Sequence, residues 1–181
     1  MNTKNATNRI TKTDPDDVPL SYCRRVQMME YVPDFGVTVM YLEGREVLQV
    51  QGKPEVLINR WCLANASSMA GRIEAVKALT SIKSKHPVLL NEVSLRMIFP
   101  MRSTHRRGAN TWICDNALMR VERNKRESTV LIFNDGFRLE IPYDIRMVRR
   151  QRNNCQLIRQ ALLEQHMKME LFADETGKEP N

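Results

Sequence analysis

The chain has 181 residues, 42% of them apolar, which is enough to bury a core in one domain. Its formal net charge is +7, and no stretch approaches the 18 or so apolar residues that a membrane span needs, so a helical membrane protein is excluded. Seven glycines, mostly single, form neither Gly-x-x-x-x-Gly-Lys-Ser/Thr nor Gly-x-Gly-x-x-Gly, which excludes a glycine-rich phosphate loop.

The placement of the charge says more than its size. Residues 1–60 carry eight basic and eight acidic side chains, residues 61–160 carry 18 and 8, and residues 161–181 carry two and five. The excess belongs to the middle of the chain, where arginine dominates. A basic domain between a neutral lead-in and an acidic tail favours a nucleic-acid partner over an anionic membrane. Cys23, Cys62, Cys114 and Cys155 are far apart, with no Cys-x-x-Cys pair, so no zinc finger is expected. Met1 to Asp17 is polar and unlike a signal peptide, so a cytoplasmic protein with reduced thiols is expected. Cys62 and Cys114 read as core.

In chain order, residues 1–20 read as a disordered arm, 21–172 as a single domain and 173–181 as an acidic flexible tail. From Cys23 to Arg60 the pattern is β. Val37–Leu42 is an apolar run, Glu43-Gly44-Arg45 a turn, Glu46–Val50 an alternating strand, and Val56-Leu57-Ile58 a further apolar run after Gly52-Lys53-Pro54. Ser67 and Ser68 offer a helix N-cap, and Met69, Ile73, Val76, Leu79 and Ile82 follow at helical spacing. Gly71 in that first turn implies a close approach.

Strands are then predicted at Val88–Leu90, Leu95–Phe99, Thr111–Cys114, Leu118–Val121 and Val130–Phe133. Asn134-Asp135-Gly136 signals a hairpin, with the type I′ turn that Asp-Gly favours. Phe137, Leu139 and Ile141 alternate, and Pro142 ends the strand. From Asp144 a long amphipathic helix follows. Ile145, Val148, Cys155, Ile158, Leu162 and Met169 make its apolar stripe, which suits the core or a dimer interface. Arg146, Arg149, Arg150 and Arg159 lie off the stripe, and a basic first half opposes the helix dipole. The fold class is therefore α+β, a mostly antiparallel β-sheet with one internal helix and a long C-terminal amphipathic helix.

The segment Phe99-Pro100-Met101-Arg102-Ser103-Thr104-His105-Arg106-Arg107-Gly108 places three arginines between two predicted strands. Arginines on a loop held by a sheet can fork onto phosphates or enter a narrow groove. No Gly-x-Ser-x-Gly elbow or His-Glu-x-x-His helix accompanies His86, His105 or His166, so no enzyme, metal or cofactor is expected. Tyr31, Phe35, Phe99, Trp112 and Phe133 read as core, which argues against an RNA module with exposed aromatics on its sheet.

Ser67-Ser68-Met69-Ala70-Gly71-Arg72 resembles the Ser-Ser-x-Ala-Gly-Arg signature of the ComK family of competence transcription factors. The likeness continues in order over roughly residues 35–170. Cys62 stands at the matching distance upstream. Lys83 and Lys85-His86-Pro87 resemble a Lys-Pro-Pro strand entry. Phe99-Pro100, Ser103-Thr104 and Trp112-Ile113 resemble a Phe-Pro…Ser-Thr-Arg…Trp-Ile segment with one residue inserted. Gly136–Pro142 resembles a Gly-x-x-x-x-Leu-Pro hairpin with Ile141 in the leucine's place.

The resemblance implies a DNA-binding activator of competence (DNA-uptake) genes that binds paired A·T-rich boxes through the minor groove, as a homodimer assembling into a tetramer. It also implies control by an adaptor that hands the protein to a Clp protease through a C-terminal Phe-Met-Leu-Tyr-Pro-type segment. This chain lacks that segment, Met169-Glu170-Leu171-Phe172 being the nearest apolar run, so adaptor-driven degradation is not carried over.

The expected DNA contacts are Arg72, Arg102, Arg106 and Arg107, then Lys83, Lys85, Arg123, Lys125 and Arg126, on double-stranded A·T-rich DNA, with RNA polymerase as a further partner. The rival readings are a basic RNA-binding protein and a regulator acting only through protein partners.

Overall fold

The computed structural model describes residues 12–102, 110–124 and 128–176. Nine strands form two antiparallel sheets among the described residues. The strands are β1 (Val26–Val32), β2 (Val37–Leu42), β3 (Glu46–Gln51), β4 (Val88–Asn91), β5 (Arg96–Arg102), β6 (Asn110–Cys114), β7 (Leu118–Arg123), β8 (Thr129–Phe133) and β9 (Arg138–Ile141). The first sheet runs β3-β2-β1-β6-β5-β4 and the second β7-β8-β9. Three α-helices complete the fold: α1 (Pro54–Leu63), α2 (Met69–Leu79) and α3 (Ile145–Thr176). The expected α+β class holds, with one more internal helix than the sequence pattern suggested.

Both faces of the large sheet are covered, because apolar residues alternate sides along its central strands. Val88, Leu90, Ile98 and Trp112 join Leu57, Ile58, Trp61 and Cys62 of α1 in one core. Leu89, Met97, Phe99 and Ile113 point the other way, onto Leu131, Phe133, Val148, Cys155 and Ile158 of the small sheet and α3. Burial keeps the thiols protonated: Cys62 is pushed up to about 11, and Cys114 and Cys155 are also raised.

Several expectations change here. Val56-Leu57-Ile58 is helical, not extended. Pro54 occupies the first helical position, where its missing N–H costs nothing, and Leu57, Ile58, Trp61 and Cys62 make one buried face. The Asn134-Asp135-Gly136 hairpin forms without a type I′ turn. Neither Asn134 nor Asp135 has positive φ; Gly136 alone does, at φ 78°, and its N–H bonds Phe133 O at 2.9 Å. This is the longer hairpin in which a glycine in the left-handed region closes the loop.

Residues 12–20, placed with the arm by composition, lie against the fold. Val18 is buried, and the Arg60 guanidinium donates to the carbonyls of Pro15, Asp16 and Val18. Residues 1–11 and 177–181 lie outside the described residues. The α2 cap is as expected, with Ser68 Oγ accepting from Gly71 N–H at 3.0 Å. A Cβ on Gly71 would stand 3.2 Å from Ser67 Oγ, which is the close approach.

The stripe of α3 belongs to the core through Ile158, with Leu162 packed at its margin. Arg159, off the stripe, is not solvated. With Arg152 it clamps the buried carboxylate of Asp115, at 2.7 and 3.1 Å, where the chain passes from β6 to β7.

Candidate nucleic-acid interface

The register brings separate basic segments to one end of the molecule. Arg102 pairs with Asn110, so the 103–109 segment joins β5 to β6 at that end. Val88 pairs with Ile98, which sets Lys83 and Lys85, just before β4, at the same end. The buried Gln151 side chain of α3 donates to Lys85 O at 3.1 Å and Pro100 O at 3.3 Å, tying this lead-in to β5.

The small sheet arrives at the same place through Tyr143. Its hydroxyl is hydrogen-bonded to Thr111 Oγ1 of β6 at 2.7 Å, and its carbonyl accepts from Thr129 Oγ1 of β8. Thr129 is the partner of Arg123, so the β7–β8 hairpin end lies beside the β5–β6 end. Asn124 and Ser128 close this second hairpin. Asn124 N–H bonds Ser128 O, and Ser128 N–H bonds Asn124 Oδ1, both at 3.0 Å.

The first turn of α3 completes the surface. Asp144 accepts from the Arg146 N–H at 2.7 Å, and its carboxyl is held below its ordinary value chiefly by hydrogen bonds from the Arg146 side chain and backbone. Arg149 and Arg150 project into solvent one turn later and form no ion pair among the described residues. Their helix position was legible in the sequence, but their proximity to Lys85 and β5 was not, because it depends on Gln151.

The expected contacts divide accordingly. Lys83 and Arg123 are exposed and Lys85 half-buried at this end, and the backbone of Arg102 marks its edge. Arg106, Arg107, Lys125 and Arg126 lie outside the described residues, between strand ends that meet here. Arg72 departs from the group. It sits in the first turn of α2 at the opposite end, 7% exposed, ion-paired with Glu92 and donating to Asn65 O at 2.8 Å. A guanidinium held in this way is not available to a ligand.

Phe99, Trp112 and Phe133 are buried as expected and Tyr31 is half-buried, whereas Phe35 is 69% exposed. It lies in a 3-10 turn, where Pro33 and Gly36 turn the chain before it can reach the core. No helix among the described residues is long and apolar enough to cross a membrane.

No curated protein and no solved structure matches the chain. A model of the ComK protein family matches residues 31–168, which takes in the end of β1, strands β2 to β9, helices α1 and α2 and the packed part of α3. The chain belongs to the ComK family of competence transcription factors.

Proposed function

We propose that the protein activates competence genes by binding A·T-rich duplex DNA with this basic end, through the minor groove. The observation that carries the reading is the convergence of two hairpins rich in basic residues and the α3 arginines on one end. Arg102, Arg106 and Arg107 serve the first hairpin, and Arg123, Lys125 and Arg126 the second. Lys83, Lys85, Arg149 and Arg150 hold phosphates beside them. Phosphate contacts position the protein, and an inserted arginine senses the narrow, electronegative groove of A·T-rich sequence. Arg72 is assigned to bracing α2.

Paired boxes call for a homodimer or tetramer, since protein and site symmetry tend to agree. The exposed Leu163 and Met167 on α3, past the packed stripe, offer apolar surface for a second copy. RNA polymerase is the partner an activator then engages. The protein works without chemistry or cofactor.

The test is a titration of the full chain against A·T-rich duplex, G·C-rich duplex and single-stranded RNA. Preference for the first, competition by a drug that fills the minor groove, and a steep salt dependence are expected. Preference for RNA overturns the reading in favour of an RNA-binding protein, and retardation of no nucleic acid favours a regulator acting through protein partners.

A further inference from the structure

Phe35, 69% exposed, is the one exposed aromatic side chain among the residues whose burial is described. Its backbone is held on every side. Val32 pairs with Val37, Gly36 N–H bonds Pro33 O at 3.1 Å, and Gly52 N–H bonds Gly36 O at 2.9 Å. The Lys12 ammonium donates to Phe35 O at 3.2 Å. Gly36 takes the left-handed conformation, φ 62°, that lets the turn close. The ring is thus presented on a fixed tip.

That tip stands beside the basic end. Glu30 of β1 pairs with Thr111 of β6, so the β1–β2 turn leaves the sheet one strand over from Asn110, where the 103–109 segment rejoins it. Its exposed neighbours in the turn are Asp34 and Gly36, neither of them a large apolar residue, and the Lys12 ammonium sits at its carbonyl. A protein-docking patch would need contiguous apolar area around the ring. An exposed ring on a fixed tip beside clustered cations has the character of a wedge, the device by which minor-groove proteins unstack a base step.

Building on the DNA-binding reading above, we propose that Phe35 inserts between adjacent base pairs from the minor groove and kinks the duplex there. The favoured step is TpA, the A·T-rich step that unstacks most readily. The phosphate contacts of the basic end hold the duplex while the ring enters, so affinity is set mainly by the cations and bending by Phe35.

The experiment uses the full chain and an A·T-rich duplex with 2-aminopurine replacing each adenine in turn. Wild type is expected to raise the fluorescence at one step. Phe35→Ala should leave that step dark and weaken binding about tenfold, with an unchanged salt slope because no phosphate contact is lost. Phe35→Leu, still able to wedge, should keep most of the signal. Because Phe35 is exposed, all three proteins should melt together. Tight wild-type binding with no bright position, or a bright step that persists in Phe35→Ala, overturns the wedge and leaves DNA binding standing. Failure of wild type to bind duplex overturns both.

Discussion

The two ends of the molecule use arginine in opposite ways. At one end Arg25 meets Glu46, Arg72 meets Glu92, and Arg152 and Arg159 share Asp115. At the other, Arg146 pairs with its neighbour Asp144, but Arg123, Arg149 and Arg150 stand without a carboxylate partner in direct contact among the described residues. The same side chain braces a fold where an acid is within reach and remains open to a ligand where none is. Net charge alone does not distinguish these uses; pairing does.

The comparison breaks most visibly at Asp115. Asp115→Ala leaves two arginines facing an emptied site and should destabilise the protein by about 3–5 kcal/mol, measured by urea unfolding. Near-unchanged stability would mean the bracing end is not held by its charges. Next comes Arg106→Ala with Arg107→Ala, which should weaken duplex binding by about 2 kcal/mol or more and make the log–log salt slope shallower by about 0.9 per lost phosphate contact. Melting should not move; an unchanged affinity would remove the first hairpin from the interface.

Ser68→Ala removes the cap of α2 and should cost about 1 kcal/mol without touching DNA affinity. The smallest effect is expected at Asp135, which joins the β2–β3 turn to the β8–β9 turn. Partial burial pushes its carboxyl up, but the N–H groups of Phe137 and Gly44, at 3.0 Å each, outweigh this and hold it below its ordinary value. A lowered carboxyl stabilises the fold above its unfolded value, near 3.8, and loses that contribution as pH falls through the folded one. The stability gap between wild type and Asp135→Asn should therefore narrow in unfolding titrations below about pH 4.

Much of the fold was legible because its signals are local. The Ser68 cap, the apolar runs of β4 to β6 and the period of α3 are read within a few residues. Helix α1 was missed because its apolar set begins just after Gly52-Lys53-Pro54. A short apolar run there reads equally as strand or as helix. The candidate site was half legible: residue types and charge balance singled out the 103–109 segment, which lies outside the described residues. The separation of Arg72 from it depends on Glu92, twenty residues away, and the nearness of the second hairpin depends on Tyr143. Phe35 was read as core because aromatics usually are, and only the tertiary turn shows that its ring has nowhere to pack.

Tyr143 carries a consequence of its own. Hydroxyl and carbonyl of one residue fix the two hairpins to each other, so the angle between them is a property of the interior. Their lengths are set separately, by the 103–109 and 125–127 segments. Either segment can therefore change in length while the junction between the two hairpins stays as it is. A change at Tyr143 would instead alter the angle between both hairpins at once, whatever the lengths of the two segments.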